Sequence, residues 1–312
     1  MAYENVEDFL GRNNDPKAKV LLNEWNTYFE KLVCVGGEIF NDILKKDLGK
    51  ADSLPLIMLH RNAVELIDSI SVLINNCCSD PARILLRTLL ETYFYCQYIT
   101  EEDSKRRALS FLICHHHQKL DFNYKLNPNT PQGKQFKVEL GDDENLKYYQ
   151  FAEQILLKKS IDDLENVIKE DLYIEVEKEY QRLKKNLNYR KPVWYEFFNG
   201  PSKIEKLAKH LKQVGLYHIL YRNLSKSTHG SNIIDGYISP GSNENEIAVS
   251  QIRFPYSAQM VTQFTFSLAF RIYRNVIRYH LPEKEQAFNT FYINEIRSFY
   301  LHISSNKVLI IN

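Results

Sequence analysis

The sequence predicts an all-α protein, a multi-helix bundle with a charged helical arm and one small β-hairpin. Glycine and proline, which interrupt helices, number only 11 and 10 in 312 residues, so long helices are permitted. Apolar residues recur at helical spacing along most of the chain. Hydrophobic residues make up 44% and charged residues 25%, which is ordinary for a globular protein and argues against disorder. We expect a single helical domain over 1–312.

Local signals support the individual helices. Asp52 and Ser53 supply cap residues for one helix, and Ser79-Asp80-Pro81 marks the start of another. The segment after Pro81 is apolar on nearly every side, which predicts a position in the centre of the bundle. The other predicted helices are 17–48, 54–77, 104–125, 202–213, 216–228, 256–280 and 283–303.

Three segments depart from this pattern. Residues 126–142 are rich in Pro, Gly and Asn and are predicted to form a loop. Residues 143–188 carry many Lys and Glu at i,i+4 spacing, which predicts a charged helical arm or a solvated helical pair. Residues 231–253 contain the turn sequence SPGSNEN and are predicted to form a small β-hairpin.

Composition excludes several classes of protein. The net charge of +1 argues against a basic protein that coats nucleic acid, so any contact with nucleic acid needs a local patch. Five cysteines without a CxxC pair predict reduced thiols and no zinc ribbon. We also expect no cofactor and no metal ion. We expect a cytoplasmic protein, because we find neither an apolar signal segment nor a membrane span. GxGxxG, GxxxxGKS/T, HExxH and GxSxG motifs do not occur.

A polar line runs along the apolar helix that follows Pro81. Arg83, Arg87 and Glu91 are spaced at i, i+4 and i+8 and therefore share one face. Burial of an unpaired charge is costly, so these side chains must be paired or must face a wet cavity. We favour an intrahelical Arg87–Glu91 ion pair. The functional alternative is that Arg87 and Glu91 contact a bound substrate, with the guanidinium holding an anion.

The segment YRNLSKSTHG, residues 221–230, carries a second polar line. On a regular helix His218, Arg222, Ser225 and His229 project from nearly the same face, and roughly 10 Å separate Arg222 from His229. A cation and an imidazole at this spacing suit metal-free RNA cleavage, in which the ribose 2′-OH attacks the phosphate. Histidine titrates near neutral pH and arginine offers a planar fork of donors. We expect His218, Ser225 and Lys226 to contact the substrate.

These residues resemble the Arg-x4-6-His motif of the HEPN superfamily, helical bundles that include metal-independent ribonucleases of toxin and anti-phage systems. The resemblance implies that Arg222 binds phosphate, that Asn223 orients the site and that His229 acts on the ribose hydroxyl. It also implies a homodimer and an antitoxin or defence-system partner. More broadly, RILLRTLLETYFY and YRNLSKSTHG resemble an uncharacterised bacterial helical family over about residues 20–280. One departure is that His229 adjoins a predicted helix end at Gly230, where it could simply cap the helix.

Other candidate sites are weaker. Arg274/His280 and Arg297/His302 also fit the motif spacing, but their side chains lie well over 100° apart on a straight helix. In Cys114-His115-His116-His117 only the Cys114/His117 pair could share a metal ion, and we favour a solvated helix face.

Three functions therefore stay open. The first is a metal-independent endoribonuclease with RNA as its substrate. The second is a non-catalytic helical module that binds a nucleotide, a nucleic acid or a protein partner. The third, a metal-dependent helical enzyme, has little support because a Glu-x-x-His pair or a comparable ligand set is not evident.

Overall fold

The structure, a computed structural model, divides into two compact units. The first comprises Met1–Glu102 and Ile204–Asn312, and the second Asp103–Lys203. The predicted arm, 143–188, is thus part of a larger unit that begins at Asp103. The residues that the structure describes are 5–12, 16–47, 50–146, 154–186, 190–228, 238–240 and 247–309.

The first unit is helical, as predicted. None of the helices in the described ranges has the length and apolar character needed to cross a membrane. The helices of the first unit that precede the second unit are α1 (Val6–Leu10), α2 (Pro16–Asp47), α3 (Leu54–Asn75) and α4 (Ser79–Glu101). After the second unit come α9 (Ile204–His210), α10 (Val214–Leu216), α11 (Arg222–Thr228), α12 (Ala258–His280), α13 (Glu285–Phe291) and α14 (Arg297–Ser305).

Helix α4 lies at the centre of the first unit. Helices α3, α12, α9 and α11 pack against it. Leu86, Leu89, Leu90 and Phe94 are fully buried, because α4 has apolar residues on several faces and can contact several neighbours at once. The central position predicted for this helix is therefore observed.

Helix α2 packs against α3 and α12 through a close approach at Gly36. A β-carbon built there would lie 2.8 Å from Val64 Cγ2 and would also overlap the hydroxyl of Tyr273. That hydroxyl donates a hydrogen bond to the carbonyl oxygen of Leu32 at 3.2 Å. Nearby, His60 Nε2 lies 2.9 Å from the Gly36 carbonyl oxygen, and burial lowers the pKa of His60 to about 4. Glycine at position 36 thus leaves room for the Tyr273 hydroxyl in the core.

Two helices predicted to be continuous are interrupted. The predicted helix 216–228 contains a π-helical turn at Tyr217–Tyr221, and the predicted helix 283–303 contains another at Tyr292–Ile296. A π turn adds a residue to the helical repeat, so it changes which side chains share a face.

A two-stranded antiparallel sheet lies in the region of the predicted hairpin. Strand β1 (Ile238–Pro240) pairs with β2 (Ile247–Val249), with Ser239 opposite Ala248. The turn predicted between them, 241–246, lies outside the described residues.

The second unit contains α5 (Ser104–Leu126), α6 (Pro131–Gly141), α7 (Gln154–Ile168) and α8 (Ile174–Asn186), with α6, α7 and α8 packed against α5. The loop predicted at 126–142 is wrong, because α6 occupies most of it. Thr130 Oγ1 accepts a hydrogen bond from the Gly133 backbone N–H at 3.0 Å, and Pro131 stands in the first turn. This is a strong N-terminal cap, and it outweighs the Pro and Gly content of the segment.

Candidate functional site

The candidate site in the first unit centres on α11, which is attached to α4 through Tyr221. Arg87 Nη2 donates a hydrogen bond to Tyr221 Oη at 2.8 Å, and the guanidinium carbon lies 4.6 Å from the centre of the tyrosine ring. Arg87 Nε also lies 3.6 Å from Glu91 Oε1. Burial and the negative charge of Glu91 raise the pKa of Tyr221, while Arg87 acts in the opposite direction. We call these three residues the Tyr221 clamp.

The clamp accounts for the polar line along α4. The intrahelical Arg87–Glu91 pair expected from the spacing is present, and Arg87 also binds Tyr221. Arg83 is paired as well, with Asp80 Oδ1 at 3.2 Å. The expected role of Arg87 and Glu91 in binding substrate stays a prediction, and their observed contacts are structural.

Arg222 begins α11 on the side that faces solvent. Leu220 and Leu224 are buried, whereas His218, Arg222 and Asn223 are exposed. Since Leu220 and Leu224 anchor one face of the helix, the cation and the imidazole are held on the other. Within the part of the chain that the structure describes, no carboxylate forms an ion pair with Arg222.

Two polar side chains of the predicted site bond to the helix backbone. Asn223 Nδ2 donates to the carbonyl oxygen of Ile219 at 2.7 Å, and Ser225 Oγ donates to that of Tyr221 at 2.7 Å. Both acceptors lie in the π turn. Because the amide nitrogen of Asn223 contacts the Ile219 carbonyl, the amide oxygen of Asn223 points away from that carbonyl. Ser225 is half-buried beside the clamp.

The structure leaves the predicted pair of Arg222 and His229 untested. His229 lies outside the described residues, and the backbone of Lys226 is described within α11 but its side chain is not. On a regular helix His218 and Arg222 would lie on nearly the same face. The π turn at Tyr217–Tyr221 changes the angle between the two side chains, but both are exposed.

The alternative pair Arg274/His280 does not form a joint site. Arg274 Nε binds Glu285 Oε1 at 3.1 Å, whereas His280 is 2% exposed. The two side chains therefore point to different environments, as their helical phase predicts.

The second unit contains a histidine site that sequence reasoning missed. His117 Nε2 lies 2.6 Å from Glu177, and its ring stacks on Tyr180 with centroids 3.8 Å apart. The solvated helix face predicted for this stretch is thus wrong for Cys114 and His117, because α5 is the helix against which the others pack. His115 is exposed. Burial raises the pKa of Cys114 to about 12, so this thiol is not a nucleophile near neutral pH.

A possible set of metal ligands occurs at the C-terminal end of α4. Three ligand atoms lie within 4.8 Å of one another, one from each of Glu101, Glu102 and His210. All three side chains are exposed, and His210 Nε2 is 2.8 Å from Glu101. An exposed carboxylate–imidazole ion pair accounts for this arrangement without a metal ion.

Comparison with protein families gives one match to report. The model of a family of unknown function, DUF5677, matches residues 53–247. The matched region includes both segments that carry the resemblance to an uncharacterised helical family, 83–95 and 221–230. Comparison with curated proteins and with solved structures finds no match.

Proposed function

The chain belongs to the DUF5677 family of unknown function, and we propose that it is a metal-independent endoribonuclease whose active site is built on α11. The observation that carries this proposal is the exposed side chain of Arg222, on a helix that is attached to α4 through the preceding residue, Tyr221. A cation on a fixed helix face, with an exposed imidazole from His218 one turn away, suits an RNA phosphate.

The proposed reaction uses the substrate's own nucleophile. Arg222 binds the scissile phosphate and stabilises the charge that grows on it in the transition state. His229 removes the 2′-OH proton, and the 2′ oxygen then forms a bond to phosphorus while the bond to the 5′ oxygen breaks. The leaving oxygen takes a proton from water. The products are a 2′,3′-cyclic phosphate and a 5′-hydroxyl end.

Other residues of the site have supporting roles in this proposal. The amide oxygen of Asn223 orients the reacting groups, because its nitrogen is held by the Ile219 carbonyl. His218, Ser225 and Lys226 contact the RNA. By the family resemblance we further propose a homodimer, a role in toxin or anti-phage defence, and an antitoxin or defence-system protein as partner.

The non-catalytic binding module is less well supported. It relies on guanidinium groups of α4 for anion capture, but Arg83 is paired with Asp80 and Arg87 is held by Tyr221 and Glu91. An anion would have to displace these partners before it could bind there.

The proposal is tested by incubating the protein with end-labelled RNA in EDTA. We expect cleavage by the wild type and at least a hundredfold lower rate for Arg222→Ala and for His229→Ala, the loss typical of a removed charge-stabilising or general-base group. The matched controls are Arg297→Ala and His302→Ala, which remove the same residue types from α14. Equal activity of all four variants, or no cleavage by the wild type, would contradict the proposal.

A further inference from the structure

A cluster of basic residues stands at and just before Arg222 in the sequence, and we call it the basic surface. Between 204 and 225 the chain carries four permanent cations, Lys206, Lys209, Lys212 and Arg222, against one carboxylate, Glu205. The whole protein has nearly equal numbers of cations and carboxylates, 40 and 39. This short segment is therefore the kind of local patch that a nearly neutral protein needs for contact with a polyanion.

The lysines face solvent because the opposite face of α9 is anchored. Leu207, Ala208 and Leu211 are buried, whereas Lys206 and Lys209 are exposed. Lys212, which follows the helix, has a left-handed backbone conformation with φ 58°. Its side chain is exposed as well. Among the described residues, no carboxylate forms an ion pair with Lys209 or Lys212.

Helix α9 and the Arg222 helix lie along α4 in a fixed direction. The His210 ring packs edge-on against Tyr98 at 5.4 Å, and Arg87 holds Tyr221 at 2.8 Å. Tyr98 and Arg87 are eleven residues apart on α4, which is roughly 16 Å. The chain from His210 to Tyr221 therefore runs antiparallel to α4, with the lysines at one end and Arg222 at the other.

Two carboxylates near these basic residues have partners of their own. Glu101 forms an ion pair with His210, and Glu91 is held in the Tyr221 clamp. Glu102 and Glu205 are exposed. Among the described residues, no carboxylate forms an ion pair with His218 or Arg222.

We propose that Lys206, Lys209 and Lys212 bind the phosphates of an RNA strand that continues from the phosphate held by Arg222. This inference rests on the proposed ribonuclease function, and it assigns the substrate as an RNA with several nucleotides on one side of the cleaved bond. The roughly 16 Å between the two contacts on α4 is long enough for more than one phosphate of a single strand. The surface supplies affinity and direction, and Arg222 selects the phosphate that reacts.

The experiment measures binding apart from cleavage. The probe is a fluorescent 2′-O-methyl RNA, which lacks the nucleophilic hydroxyl, and its dissociation constant is measured at several salt concentrations. Each phosphate contact on a single strand contributes about 0.7 to the slope of log affinity against log salt. We expect the triple variant Lys206→Ala, Lys209→Ala, Lys212→Ala to reduce that slope by about 2. The triple arginine variant, which keeps the charges, should retain the wild-type slope.

The matched control is the triple variant Lys158→Ala, Lys159→Ala, Lys178→Ala. It removes the same number of exposed helical lysines from α7 and α8 of the second unit. An unchanged slope in the first variant, an equal loss in the control, or no binding of the probe by the wild type overturns the inference. If the triple alanine variant has a reduced salt slope but the wild type does not cleave unmodified RNA, the RNA-binding surface is supported and the ribonuclease function is refuted. If the wild type cleaves RNA but the slope of the variant is unchanged, the ribonuclease function is supported and the RNA-binding surface is refuted.

Discussion

Replacing Tyr221 by phenylalanine removes one oxygen atom from the clamp that attaches α11 to α4. The variant loses the 2.8 Å hydrogen bond from Arg87 but keeps the ring 4.6 Å from the guanidinium. A hydrogen bond to a charged group contributes about 1.5–3 kcal/mol net. The side chains of Arg87 and Glu91 are 21% and 29% exposed, so water replaces part of what is lost. We therefore expect a loss near the lower end, about 1.5 kcal/mol.

The assay is urea unfolding of Tyr221→Phe, Arg87→Met and the double variant. If the two side chains act as a pair, their effects should be non-additive, with a coupling energy of about 1 kcal/mol. Tyr217→Phe is the control, because Tyr217 stacks on Tyr221 at 5.3 Å and its hydroxyl has no partner among the described residues. A free energy of unfolding for Tyr221→Phe equal to that of Tyr217→Phe, or strict additivity with Arg87→Met, would refute the clamp.

Three further predictions concern stability and reactivity. Gly36→Ala should lower the free energy of unfolding by about 1–3 kcal/mol, since its methyl overlaps the core, whereas Gly37→Ala has open space and should raise it by about 0.5–1 kcal/mol in urea unfolding. Burial lowers the pKa of His60 to about 4, so as pH falls the unfolded chain binds a proton at this histidine before the folded protein does. Between pH 7 and 5 the free energy of unfolding of the wild type should therefore fall by about 2 kcal/mol more than that of His60→Gln. Equal decreases in the two proteins would contradict this. In mass spectrometry of the native protein treated with iodoacetamide, exposed Cys34 should be alkylated and buried Cys96, whose pKa burial raises, should not.

The sequence predicted the long helices well, because their signals are local. Ser79-Asp80-Pro81 marks the start of α4, and α12 has the bounds expected to within two residues. Helix α6 was missed although its cap, Thr130 followed by Pro131, is also a local signal. The Pro and Gly content of that segment favours a loop, but the cap outweighs it. The π turns were not predicted, since apolar spacing does not distinguish a single π turn from the α-helix around it.

The candidate site was predictable only where its residues are close in sequence. The Arg87–Glu91 pair follows from i,i+4 spacing on one helix. Its third member, Tyr221, lies 134 residues from Arg87, and nothing local to either residue indicates the contact. The contact between His117 and Glu177, 60 residues apart, was missed for the same reason. Helical periodicity identifies the apolar and polar faces of each helix, but it does not show which helices pack against each other through those faces.

The most direct test of the proposed chemistry changes the substrate and leaves the protein intact. An RNA that the wild type cuts in EDTA at a mapped bond is resynthesised with a single 2′-deoxynucleotide on the 5′ side of that bond. If the ribose hydroxyl is the nucleophile, cutting at that bond should stop while neighbouring bonds are still cut, and the original product should carry a 2′,3′-cyclic phosphate. Continued cutting of the deoxy-substituted bond, or a product with a 5′-phosphate, would contradict the account.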